Sequence, residues 1–156
     1  MTYKDPLPNL EHFIVIAVGA HAGQVDKGGH PYIMHPLRVM LKCKTLEEQI
    51  VAVLHDLLED TRWSKYGVYS LEREGLTPVM SAALTCLTRS SGESYEEFIE
   101  RIALNPLATR VKLADLEDNM DLTRLETIQP HDLSRQKKYQ RAKARLEIAL
   151  QGHSKK

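Results

Sequence analysis

Cross-links are scarce in this chain: 156 residues hold two cysteines, Cys43 and Cys86. Both sit in apolar helical contexts without the paired spacing of a structural zinc site, so they read as reduced core residues of a cytoplasmic protein. An excess charge of either sign is also missing, since Lys and Arg number 21 and Asp and Glu number 21. That balance argues against a general nucleic-acid or membrane-surface binder, whose footprint is a surplus of Lys and Arg. No apolar run approaches the length of a membrane span. The opening, MTYKDPLPNLEHF, is polar and proline-containing, which is unlike a signal peptide. Strand-like alternation, repeats and low-complexity segments are absent as well, which leaves helical periodicity as the dominant signal.

The length suits one domain over 1–156 with a core of its own. Asn9 is placed to cap a helix over 10–22. A glycine-rich loop follows, and Pro36 stands in the first turn of a second helix from His35 to about Cys43. Thr45 with Glu48 forms a capping box for a third helix, expected to run unbroken to about Thr61. Residues 62–76 read as a loop with a turn or two of helix after Ser70. Thr77-Pro78 opens a helix to Thr88, and Ser94 with Glu97 boxes another to Leu104. Asn105-Pro106 starts a long helix to about 125, which Pro130 separates from a basic final helix over 133–150. The expectation is an all-α bundle of about seven or eight helices.

The stretch AVLHDLLEDT, 52–61, organises the rest. Positions four apart share a helix face, so His55 would stack over Glu59 and Asp56 over Asp60. Carboxylates pressed against leucines are costly unless neutralised, and a divalent cation would neutralise them. The plain alternative is a solvated acidic helix end, so partners elsewhere must carry the case. His35 is one, and Asp115 is another, with Asn119 four residues on. His35, His55, Asp56 and Asp115 would bring two imidazoles and two carboxylates to one ion with positions left open. Such a mixed set suits Mn²⁺, with Fe²⁺ or Zn²⁺ as alternatives. The ion would hold a scissile phosphate and acidify a water.

These blocks are His21-Ala22-Gly23-Gln24, Pro31-Tyr32-Ile33-Met34-His35-Pro36, LHDLLEDT over 54–61 and KLADLEDN over 112–119. In this order and spacing they resemble the HD-type hydrolase domain of RelA/SpoT proteins, and in size the small alarmone hydrolases. The resemblance implies metal ligation by His35, His55, Asp56 and Asp115. It implies that Glu59 and Asp60 orient and deprotonate the attacking water, although Asp60 could instead support the ligands from outside. Asn119 would contact the ribose or phosphate region, and Lys27 and Tyr32 would line the nucleotide pocket. The implied reaction is Mn²⁺-dependent removal of the 3′-pyrophosphate of (p)ppGpp in the cytoplasm. The substrate is then a small nucleotide, with no nucleic acid and no membrane involved, and no room remains for a synthetase domain.

Two departures bear on substrate. Asp26 stands where the family often carries Arg, and the family block KLADRLHNMR has Leu116 and Asp121 in place of two basic residues. Compensating charge is available at Lys112 and Arg124, the nearest candidates, or at Lys27, Arg38, Lys42, Arg89 and the tail 135–145. His21 and His30 read as structural or loop histidines, and Tyr139 with the final helix is a candidate cover for the pocket. Two other readings follow: the same chemistry on another phosphorylated nucleotide such as (p)ppApp, or a silent nucleotide-binding module.

Overall fold

A computed structural model describes residues 8–154, and every structural statement below concerns those residues. Nine α-helices follow one another among them: α1 Leu10–Ala20, α2 Met34–Lys42, α3 Leu46–Leu54, α4 Leu57–Asp60, α5 Gly67–Arg73, α6 Pro78–Leu87, α7 Tyr95–Ala103, α8 Pro106–Met120 and α9 Pro130–His153. Short 3₁₀ turns occupy Arg62–Lys65 and Leu122–Arg124. The only β pairing described is an isolated antiparallel bridge between Val25 and Pro31, which pinches the base of the loop before α2.

The helix starts obey their caps. Asn9, Thr45, Thr77, Ser94 and Asn105 each accept a backbone N–H from the first turn, and Thr45/Glu48 and Ser94/Glu97 close full capping boxes. Pro130 opens α9 rather than merely ending the preceding segment, because proline at a first turn gives up no needed N–H. The long helix stops at Met120, five residues short of the expectation, where Asp121 turns back to cap the 3₁₀ turn. One helix more than the upper expectation of eight is present because the expected third helix divides into α3 and α4.

Helix α3 is the centre. Ile50, Val51, Ala52, Val53 and Leu54 are all fully buried, as expected of a helix whose second half is apolar on every side. It packs against α1, α2, α6 and α8, while α9 lies across α7 and α8. Glu48 ties this centre to α8: buried in the first turn of α3, it accepts the backbone N–H of Lys44 (2.9 Å) and Arg110 Nε (2.7 Å).

Candidate active site

Helix α3 ends at Leu54, with His55 as its C-cap, and Asp56 is the N-cap of α4. The expected continuous helix is therefore interrupted at the His-Asp pair itself. A local competition for acceptors accounts for this. Nδ1 of His55 lies 2.7 Å from the Ala52 carbonyl, which only accepts, so Nδ1 carries the proton. The same carbonyl takes the His55 backbone N–H at 3.4 Å. The chain resumes helical pairing one residue on, where Asp60 N–H reaches the Asp56 carbonyl at 3.0 Å. The break leaves Nε2 of His55 unprotonated in the neutral ring, with its lone pair facing α2 and α8.

Four side chains converge there. His35 Nε2 is 3.1 Å from Asp115 Oδ1 and 3.5 Å from Asp56 Oδ2. His55 Nε2 is 3.0 Å from Asp56 Oδ2 and 3.5 Å from Asp115 Oδ1. His35, His55 and Asp115 are buried and form a group able to hold a metal ion. Ligands about 2.1 Å from one centre stand about 3.0 Å apart in octahedral and about 3.4 Å apart in tetrahedral arrangement. The donor spacings fall on that scale. His55 Nε2 is buried and, although 3.0 Å from Asp56 Oδ2, makes no aligned hydrogen bond, so in the neutral ring its lone pair faces two carboxylates and a cation would satisfy all three. The donor set fits a divalent ion.

Electrostatics supports the same set. Burial opposes the charge on Asp115, yet Lys112 Nζ at 2.6 Å and the two histidines hold its carboxyl well below the usual range. Burial likewise opposes ionisation of Asp56, and His55 outweighs it. Tyr32 donates its hydroxyl to Asp56 Oδ2 at 2.6 Å. Burial and the Asp56 charge push that phenol far up, so it stays a donor. Without a cation, the carboxylates overcome burial and raise both His35 and His55 above the ordinary histidine value.

Glu59 and Asp60 stand on α4, one turn past Asp56, at the solvent-exposed rim. Glu59 accepts the backbone N–H of Arg89. Partial enclosure and then the Asp56 charge raise both carboxyls, against the Arg89 N–H in the case of Glu59. The two acids are thus the weaker acids of the site and the better proton acceptors.

Beside the ion-binding group lies a cavity of about 300 Å³. Lys27, Tyr32, His35 and Asn119 line it, as do Arg38 and Arg124. Arg135 and Tyr139 of α9 cover it, so the final helix does form one wall. Lys112 is not among its lining residues; it points to Asp115 and lies 5.3 Å from the Phe98 ring centre. Asn119 faces both ways, lining the cavity while donating Nδ2 to Asp115 Oδ1 at 2.6 Å. Asp26 also lines the cavity, but its carboxylate accepts the backbone N–H groups of Gly28 (2.8 Å) and His30 (2.9 Å) and so shapes its own loop.

Asp118 is the residue that sequence reasoning missed. Its Oδ2 accepts Nδ1–H of His35 at 2.7 Å, and Arg38 donates Nε at 2.8 Å and Nη2 at 3.0 Å. Its place three residues after Asp115, on the same helix face, was the available signal, masked by Glu117 and Asn119 beside it. His21 is buried as expected of a structural residue, with Nδ1 at 2.8 Å from Gln24 Oε1.

No family model matches the chain. Sequence relatives are nonetheless clear. A Guanosine-3′,5′-bis(diphosphate) 3′-pyrophosphohydrolase of Aquifex aeolicus is 32% identical over 126 residues, 76% of this chain and 18% of that protein. A GTP pyrophosphokinase of Streptomyces coelicolor is 29% identical over 154 residues, 91% of this chain and 17% of that protein. The bifunctional (p)ppGpp synthase/hydrolase SpoT of Escherichia coli is 26% identical over 128 residues, covering 75% and 18%. The chain therefore spans less than a fifth of the length of these relatives. Among solved structures, a metazoan ortholog of SpoT described as hydrolysing ppGpp shares the fold. The TM-score is 0.70 at 21% identity, with 97% of this chain and 96% of that chain covered.

Proposed function

We propose that this chain, a relative of the RelA/SpoT hydrolases, removes the 3′-pyrophosphate of (p)ppGpp with the help of a divalent cation, Mn²⁺ on this reading. The observation that carries the proposal is the convergence of His35, His55, Asp56 and Asp115 on one buried point, beside a cavity of about 300 Å³ lined by both cations and acids.

His35, His55, Asp56 and Asp115 would hold the cation. When bound, the ion supplies positive charge against the negative charge that builds on phosphoryl oxygens. The protein's own groups divide the remaining work. Glu59 and Asp60 take the proton of the attacking water, a role suited to carboxyls whose pKa is raised toward the working pH. Lys27 and Arg135, unpaired with any carboxylate among the described residues, face the cavity and bind the nucleotide's anionic groups, with Arg38 and Arg124 in the same wall. Asn119 fixes the end of the cavity nearest Asp115. Water adds to the phosphorus next to the ribose, the bond to O3′ breaks, O3′ takes a proton, and pyrophosphate and GDP or GTP depart.

Purified protein with Mn²⁺ and ppGpp should release pyrophosphate and GDP. Absence of turnover with bound metal demonstrated would refute the proposal. A second reading, hydrolysis of an adenine alarmone such as (p)ppApp, is favoured by Asp26, which is committed to its loop where an arginine would flank a base. The same assay run with both nucleotides separates the two.

A further inference from the structure

We propose that Asp118 is a positioning residue for metal binding: through His35 it fixes which ring nitrogen faces the ion, and through Arg38 and Arg124 it ties that ligand to the wall of the cavity. The inference rests on the reading of His35 as a ligand but not on the identity of the substrate. A carboxylate accepts and never donates when ionised, so Asp118 Oδ2 at 2.7 Å from His35 Nδ1 requires the proton to sit on Nδ1. Nε2 is then the free lone pair, and Nε2 is the atom that stands 3.1 Å from Asp115 Oδ1. The ring is held from behind while its working nitrogen faces the centre.

Such a carboxylate needs compensation, because its side chain is only 3% exposed. Arg38 supplies it through two hydrogen bonds. Arg124 adds a third contact at 3.3 Å from Nη2 to Oδ2, and the same Nη2 donates to the Asp118 carbonyl at 2.8 Å. Both arginines line the cavity. One buried anion thereby links a candidate metal ligand on α2 to two cations on the nucleotide side.

The test is calorimetric Mn²⁺ binding to the full, metal-stripped chain. Asp118→Asn keeps the shape but cannot serve both partners. If its oxygen accepts from His35, its amide faces Arg38; if it turns over, its amide drives the His35 proton to Nε2. Mn²⁺ affinity should fall about 10–100-fold, the usual cost of losing a ligand's outer partner. Arg38→Gln leaves the Asp118–His35 bond in place but removes part of the charge that supports it, so its Mn²⁺ affinity should fall clearly less than that of Asp118→Asn. Parent-like affinity in folded Asp118→Asn, or an equal loss in Arg38→Gln, would overturn the proposal. Should Asp118→Asn not fold, Asp118→Glu decides by the same measurement, since it keeps the charge but displaces the acceptor. Weakened binding supports the role and parent-like binding overturns it. If no nucleotide is hydrolysed by any variant, the functional proposal fails while the metal measurement still decides this one.

Discussion

Replacing Lys112 by methionine should separate the metal's role from that of the protein's own charges. Lys112 Nζ lies 2.6 Å from Asp115 Oδ2, and the two side chains are 14% and 3% exposed. Burial disfavours the ammonium, but Asp115 more than offsets this and holds it charged. Methionine retains the stem against Phe98 and deletes the charge. Removing one partner of a buried pair costs about 3–5 kcal/mol, because the other charge is stranded. For a domain of this size 1 kcal/mol moves the midpoint by about 2–4 °C, so metal-stripped Lys112→Met should melt about 6–20 °C below the parent. With Mn²⁺ saturating, the ion takes over neutralisation of Asp115, and the gap should shrink by at least half. Thermal unfolding by circular dichroism, with chelator and with Mn²⁺, reads both numbers. An equal drop in the two states would refute the reasoning, since Lys112 would then act by packing alone. So would a raised KM with unchanged melting, which would return Lys112 to direct contact with substrate.

Other perturbations have signed outcomes. Asp56→Ala should abolish Mn²⁺ binding and turnover together, read by calorimetry and pyrophosphate release. Glu59→Gln should keep the metal and lose most turnover; a near-parent rate would move the proton-accepting role to Asp60. In metal-free protein the raised pKa values of His35 and His55 stabilise the fold below the ordinary histidine value, and that contribution is lost as pH rises through the folded values. Ligation needs neutral rings, so the stabilisation gained from Mn²⁺ should grow as pH rises above the ordinary histidine value; an increment that shrinks over that rise would contradict the site. Asp26→Arg should cost about 1–2 kcal/mol in unfolding experiments by freeing two loop N–H groups.

The helical frame was legible in the sequence because its signals are local. A cap such as Thr45 with Glu48 acts within four residues, and the apolar period of α3 needs no knowledge of its neighbours. The break at His55 was not legible for the opposite reason. Periodicity carries Leu54 into Leu57 without interruption, and only a side-chain hydrogen bond to Ala52 reveals the discontinuity. Lys112 misleads in the same way: a lysine beside a metal-ligand candidate invites a phosphate contact, yet the fold turns it onto Asp115. Asp118 was hidden because its partners, His35 and Arg38, are about eighty positions away in sequence. Residue types give candidate chemistry, whereas the choice among several acids on one helix depends on what the opposing helix presents.

That principle also explains how acids at Asp26 and Asp121 coexist with a pocket for a polyanion. Asp26 is committed to backbone donors of its own loop, and Asp121 to the Thr123 N–H and hydroxyl. Asp132, the third acid lining the cavity, caps α9 by accepting the Gln129 N–H at 2.9 Å. Each anion is therefore engaged by groups of the chain itself, Asp121 also by Arg124 Nη1 at 3.2 Å. Two of the four cations, Arg38 and Arg124, are paired with Asp118 and Asp121, but Lys27 has no ion pair among the described residues, and Arg135 turns only to the Tyr139 hydroxyl. The lining's formal charges nearly balance, but its available ones are positive, and an incoming phosphate responds to the available ones. Neutralising Lys27 and Arg135 together should accordingly raise KM for ppGpp while leaving Mn²⁺ affinity unchanged. A double variant with parent-like KM would show that the nucleotide's charge is met elsewhere.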